Sequence, residues 1–134
     1  MFLSLLNDKQ KKMFLSLAYD LAAIDGDFGQ DEKTAIESYS REMDMDMKRE
    51  DADEDINHVI EQLNENCGLR EKKIVVFEMI GLAMTDCNYD KGEREVVRNA
   101  IDVFGLDAEF ANYCEQKLSE YLNLQEELNT KILM

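Results

Sequence analysis

The chain has 134 residues, 45% of them hydrophobic and 34% charged, with six glycines and no proline. That is enough for one ordinary core, and it is too apolar for a disordered acidic tail. Thirty acidic against fifteen basic side chains give a formal charge of −15, a surface that repels nucleic acid and anionic lipid and concentrates cations.

The opening MFLSLL is shorter than a secretory h-region, and the polar NDKQKK follows at once. From there apolar residues recur at three- and four-residue steps, the period of a helix. A first helix over roughly 8–25 places Met13, Phe14, Leu17, Leu21 and Ile24 on one face. A second, over roughly 30–43, buries Ala35, Ile36, Tyr39 and Met43. The acidic REDADEDIN (49–57) opens a third, where acids suit the positive end of the helix dipole, and Ile56, Val59, Ile60 and Leu63 form its stripe.

A fourth helix, over roughly 70–86, is apolar on nearly every side and should be the most enclosed. Glu78 is its only charge between positions 74 and 84, yet IVVFEMIGLAM is far too short to span a bilayer. A fifth helix carries Val97, Ala100, Ile101 and Phe104, and a sixth, about 107–130, carries Phe110, Cys114, Leu118, Tyr121, Leu122 and Leu128. No strand-like alternation competes. The expected fold is an all-α, single-domain bundle of six to seven helices spanning 1–134.

The chain also repeats itself. LAAIDGDFGQDE (21–32) and LAMTDCNYDKGE (82–93) align without a gap at an offset of 61 residues. Leu21, Ala22, Asp25 and Glu32 match Leu82, Ala83, Asp86 and Glu93, while Asp27 answers Asn88 and Phe28 answers Tyr89. The correspondence continues through Ile36 with Val97, Met43 with Phe104, Met45 with Leu106, and Asp44 with the helix-ending Gly105. Two pseudo-repeated helix–loop–helix halves, about 8–45 and 70–106, are therefore expected, with equivalent loops brought near one another. The aligned Phe104 and Leu106 mark Met43 and Met45 as packing residues rather than soft-metal ligands.

The acidic loops are not EF-hands. Counting from Asp25 puts Gln30 where the sharp turn needs glycine and Ile36 where a bidentate glutamate is required, and the second copy has Val97 there. Glu32 and Glu93 fall three residues after Gly29 and Asp90, the spacing at which a carboxylate reaches back to an N-cap amide. Asp25 and Asp86 sit at the negative ends of apolar helices, a placement that costs about 0.3–1 kcal/mol unless something offsets it. The free amides of the following helix are one offset. A hard cation held by Asp25, Glu32 and Asp27, and in the second copy by Asp86, Glu93, Asn88 and Asp90, is the other. Oxygen-only ligands point to Ca²⁺ or Mg²⁺. Gly26 turns more freely than its counterpart Cys87, so the first loop should hold the more regular geometry.

A helix ending in Leu-Ala-x-x-Asp-Gly, an apolar residue shortly after it and then a glutamate, all present twice in an acidic helical chain, resembles the tellurite-resistance TerB-like family. LAAIDGDFGQDE matches well and LAMTDCNYDKGE departs at Cys87; the resemblance covers about 8–125. It implies an all-helical fold with pseudo-repeated halves and an acidic metal site between them, on which Asp25, Glu32, Asp86 and Glu93 would be the motif acids. It also implies a stress-response setting with protein partners, membrane-associated ones among them.

No catalytic constellation accompanies these loops. His58 is the only histidine and reads as solvated, while Cys67, Cys87 and Cys114 form neither a zinc pattern nor a disulfide framework. The leading expectation is a non-enzymatic, cytoplasmic, cation-binding helical module that meets a protein partner and neither binds nucleic acid nor inserts into a membrane. The alternative is an acidic protein–protein interaction adaptor with purely structural loops. The sequence leaves the oligomeric state open.

Overall fold

A chain without proline and with few glycines has little to interrupt a helix. A computed structural model describes residues 1–24, 29–85 and 89–134, and within them six α-helices and two 3-10 turns form an all-α bundle without strands. The helices are α1 (Asp8–Ala22), α2 (Gln30–Met43), α3 (Ile56–Asn66), α4 (Leu69–Ala83), α5 (Lys91–Phe104) and α6 (Ala108–Leu133). The 3-10 turns cover Leu3–Leu5 and Arg49–Asp51.

Adding 61 to the bounds of α1 and α2 reproduces those of α4 and α5. The end caps correspond as well. Gly105 closes α5 in the left-handed region at φ 69°, and Asp44 closes α2 there at φ 50°. In each, the next amide bonds back across the turn: Met45 N to the Ser40 carbonyl and Leu106 N to that of Ile101. Asp44 is the only non-glycine residue with positive φ among those described, a conformation aspartate tolerates better than most side chains.

The enclosed position expected of α4 holds, but α1 shares it. Phe14, Leu15, Leu17, Ala18 and Leu21 are buried in α1, and Val75, Val76, Met79, Ile80 and Leu82 in α4. These two helices touch each other, with α2 and α3 packed on α1 and α5 and α6 on α4. Burying a side chain of that size contributes about 1.5–3 kcal/mol, so the two central helices hold much of the fold's stability. Ile24, placed on the buried face in the sequence reading, is exposed, because α1 ends at Ala22 rather than near 25. Likewise α4 ends at Ala83 rather than near 86. Met43 is buried and Met45 packs against the core, as the repeat alignment requires.

The acidic connector differs from expectation. No acid lies in the first turn of α3, because Asp55 is its N-cap and accepts from the amides of Asn57 and His58. The main chain on either side of α3 is fastened to α1. Ser16 Oγ accepts from the Asp53 amide at 2.8 Å, and Gln10 Nε2 donates to the Asn66 carbonyl at 2.7 Å. These contacts explain two buried polar side chains on α1.

Glu78 is 4% exposed, an expensive position for a lone carboxylate. It accepts from the Met1 ammonium at 2.9 Å and the Phe2 amide at 3.1 Å, while Glu42 accepts from the same ammonium at 3.2 Å and from Leu3 N at 2.8 Å. The first three residues are thereby fastened across α2 and α4. Burial works against charging the ammonium, yet Glu78 and Glu42 outweigh it and hold its pKa above the ordinary 8.0. Folding therefore binds that proton more tightly, so the pairing contributes fully below pH 8 and is lost as pH rises through the folded value. Glu78→Gln is expected to cost about 1 kcal/mol at pH 7, solvent screening of the ammonium included, and to flatten the alkaline loss of stability. Urea unfolding at stepped pH checks this, and an alkaline limb unchanged in the variant would contradict it.

Candidate functional site

Each pseudo-equivalent loop leaves a central helix and enters a helix of 14 residues. Asp25, Asp27, Asp86 and Asn88 lie outside the described residues, whereas Glu32, Asp90 and Glu93 lie within them. Among the described residues no three His, Cys, Asp or Glu side chains converge as metal ligands would.

The two glutamates occupy the same helical position and do different things. Asp90 caps α5: its Oδ1 accepts from the Glu93 amide at 2.9 Å, and Glu93 Oε1 accepts from the Asp90 amide at 3.3 Å. That is a closed capping box, as the spacing foretold. Asp90 Oδ1 is thus committed to the helix end. Glu93 is 8% exposed.

Glu32 is 9% exposed and has no hydrogen-bonding partner among the described residues. Its N-cap is Gly29, which has no side chain to return the bond. A Cβ on Gly29 would lie 2.9 Å from Glu32 Oε2, closer than atoms tolerate, so glycine makes room for this carboxylate. Capping, offered for both glutamates on spacing alone, therefore accounts for Glu93 and not for Glu32.

The end of α1 and the start of α5 come together. A Cβ on Gly92, in the first turn of α5, would lie 3.8 Å from Ile24 Cγ2, at the exit of α1. The flank of the first loop thus rests on the start of the helix that follows the second.

Sequence reasoning missed an arginine that fastens the second loop. Arg94 Nε donates to the Tyr89 carbonyl at 3.1 Å, its guanidinium lies 4.1 Å from the Tyr89 ring centre, and Nη1 bonds Glu115 of α6 at 2.7 Å. Burial, then the nearby Glu115, pushes the Tyr89 hydroxyl up to about 12. The first hairpin has Lys33 at the equivalent place. The signal in sequence was the i, i+5 pairing of an aromatic with an arginine, which no helix rule singles out.

A second omission is Asp20, in the last turn of α1. Its Oδ2 is buried without a hydrogen-bond partner. Burial, then the carboxylates of Asp53, Glu54 and Asp55, raises its pKa to about 6, with Arg49 opposing. His58, read as solvated, is exposed and pairs with Asp53 at 2.6 Å. Burial pushes the thiols of Cys67 and Cys114 up to about 11, so both keep their protons at neutral pH.

A family model described as tellurite resistance protein TerB matches residues 11–114. No curated protein and no solved structure matches the chain.

Two outcomes follow from this geometry. Asp90→Ala opens the capping box and is expected to lower stability by about 1 kcal/mol in thermal unfolding, whereas an unchanged melting temperature would mean the cap contributes nothing. Asp20 holds its proton more tightly folded than unfolded, so stability falls as pH rises from the ordinary 3.8 through about 6. Asp20→Asn should remove that fall and raise neutral-pH stability by about 1 kcal/mol after solvent screening. Chemical unfolding at pH 4 and pH 7 measures it, and parallel pH profiles for both proteins would refute it.

Proposed function

The chain belongs to the TerB family, and from that premise we propose that it is a non-enzymatic helical module that binds a divalent cation, Ca²⁺ or Mg²⁺, through its two acidic loops. The single observation that carries this reading is Glu32, a residue only 9% exposed that has no hydrogen-bonding partner among the described residues and lies over a glycine that makes room for it. A hard cation is the natural counterpart of such a group, because oxygen ligands alone suffice for it and a protein of charge −15 attracts it. Asp25 and Asp27 complete the first site in this reading. Asp86, Asn88, Asp90 and Glu93 form the second, weaker one, since Asp90 and Glu93 already bond each other's main chain.

The module would serve a tellurite-resistance or stress-response system in the cytoplasm, passing its ion-dependent state to a protein partner. No helix among the described residues is long and apolar enough to cross a membrane. The closed capping box at Glu93 favours the second reading, an acidic interaction adaptor whose loops are structural only.

Calorimetric titration with Ca²⁺ and with Mg²⁺ separates the two. Wild type is expected to bind one of these ions with a Kd below about 1 mM, the weak limit of protein Ca²⁺ sites, and Asp25→Asn with Asp86→Asn to abolish binding. Gly29→Ala removes no charge and displaces only the far end of Glu32. It should weaken binding about tenfold with little change in melting temperature. If neither ion binds in that range and a chelator leaves the melting temperature unchanged, the adaptor reading replaces this one.

A further inference from the structure

The connection between α2 and α3, residues 44–55, holds no regular structure beyond the 3-10 turn Arg49–Asp51. Its sequence DMDMKREDADED carries seven carboxylates against two basic side chains, and its only large apolar residues are Met45 and Met47. It nevertheless lies against the bundle. The Met47 carbonyl accepts from the Tyr19 hydroxyl at 3.0 Å, and the Asp53 amide donates to Ser16 Oγ at 2.8 Å, both partners being on α1. Met45 and Met47 are partly buried and pack against the core. So charged a segment has no other side chain of size to bury, and these two thioethers are its apolar hold on the bundle.

Residues 46 and 47 also separate two grooves, because Asp46 and Met47 line both. One groove, of about 400 Å³, is lined by Tyr19 and Ile36, and the other, of about 430 Å³, by Met13, Met45 and Val59. Both are open, so a small solute can enter alongside Met45 and Met47. Met43 and Met79, by contrast, are 2% and 1% exposed. In the second hairpin Leu106 takes the place of Met45, and it packs against the core without an oxidisable atom.

We propose that residues 44–55 form a redox-sensitive strap, released when a peroxide oxidises Met45 and Met47 to sulfoxides. At each sulfur an S–O bond forms from a lone pair, the peroxide O–O bond breaks, and water leaves. The sulfur is oxidised and the peroxide is reduced. A sulfoxide is polar, so it gives up the contact with the core that the thioether made. The carboxylates of the strap then favour solvent. With residues 46 and 47 withdrawn, the two grooves become one trough along α1. Reduction of the sulfoxides restores the thioethers and closes the strap.

Trypsin reads the opening, because Lys48 and Arg49 lie on the strap and cleavage of a transiently opened segment follows its open population. Hydrogen peroxide on the full chain should place oxygen on Met45 and Met47 before Met43 and Met79, as mass mapping shows. Cleavage after Lys48 and Arg49 should then rise about tenfold, and methionine sulfoxide reductases should return it to its starting rate. Met45→Leu with Met47→Leu keeps the packing and Met13, and its cleavage should not respond to peroxide. Met45→Gln with Met47→Gln should be cleaved at the raised rate without peroxide. Oxygen on both methionines with unchanged cleavage overturns the proposal, as does an equal response in the leucine variant. A rise spread over cleavage sites throughout the chain also overturns it, since the bundle and not the strap has then opened.

Discussion

The contact between α1 and α4 is the constraint from which the rest of the bundle follows. Each helix is apolar around so much of its circumference that it cannot rest on a surface and has to be enclosed. The remaining helices wrap the pair, α2 and α3 against α1, and α5 and α6 against α4. Enclosure on that scale leaves few positions for charge. Glu78 shows what one demands: an ammonium and an amide brought from the far end of the chain. The acidic loops follow the C-terminal ends of these two central helices along the chain.

Much of this architecture was legible from periodicity. Helix identity and order follow from three- and four-residue spacing, and the bounds of α2 were read to the residue, since Gly29 and Asp44 punctuate it. The ends of α1 and α4 were read too long because Ile24 and Met84 continue the apolar pattern after the hydrogen-bond ladder has stopped. Enclosure of α1 was missed because Gln10 and Ser16 look like surface residues in sequence. They are buried because Asn66 and Asp53, far along the chain, satisfy them.

The candidate site was legible to a different depth. Spacing alone identified both Glu32 and Glu93 as cap-forming glutamates, and it was right for the copy whose cap is an aspartate. At Gly29 the same spacing did not deliver the bond, although Glu71 reaches the amide of another glycine cap, Gly68, at 3.0 Å. Asp20 escaped notice because its cost arises from carboxylates on another segment, and nothing local to AYDLAA signals them. Arg94 escaped for a similar reason. Two of its contacts lie on the loop before it, and the third lies a helix away.

Arg94 ties the residues just before α5 to α6, a helix that α5 already packs against. Its guanidinium is shared between the main chain at Tyr89 and a carboxylate on α6, while the first hairpin offers only a lysine there. A planar, forked cation can hold both at fixed angles, and an ammonium cannot. The second hairpin is consequently geared to the C-terminal helix. Any shift of the main chain at Tyr89 must break a bond to Arg94 or rotate its side chain against Glu115.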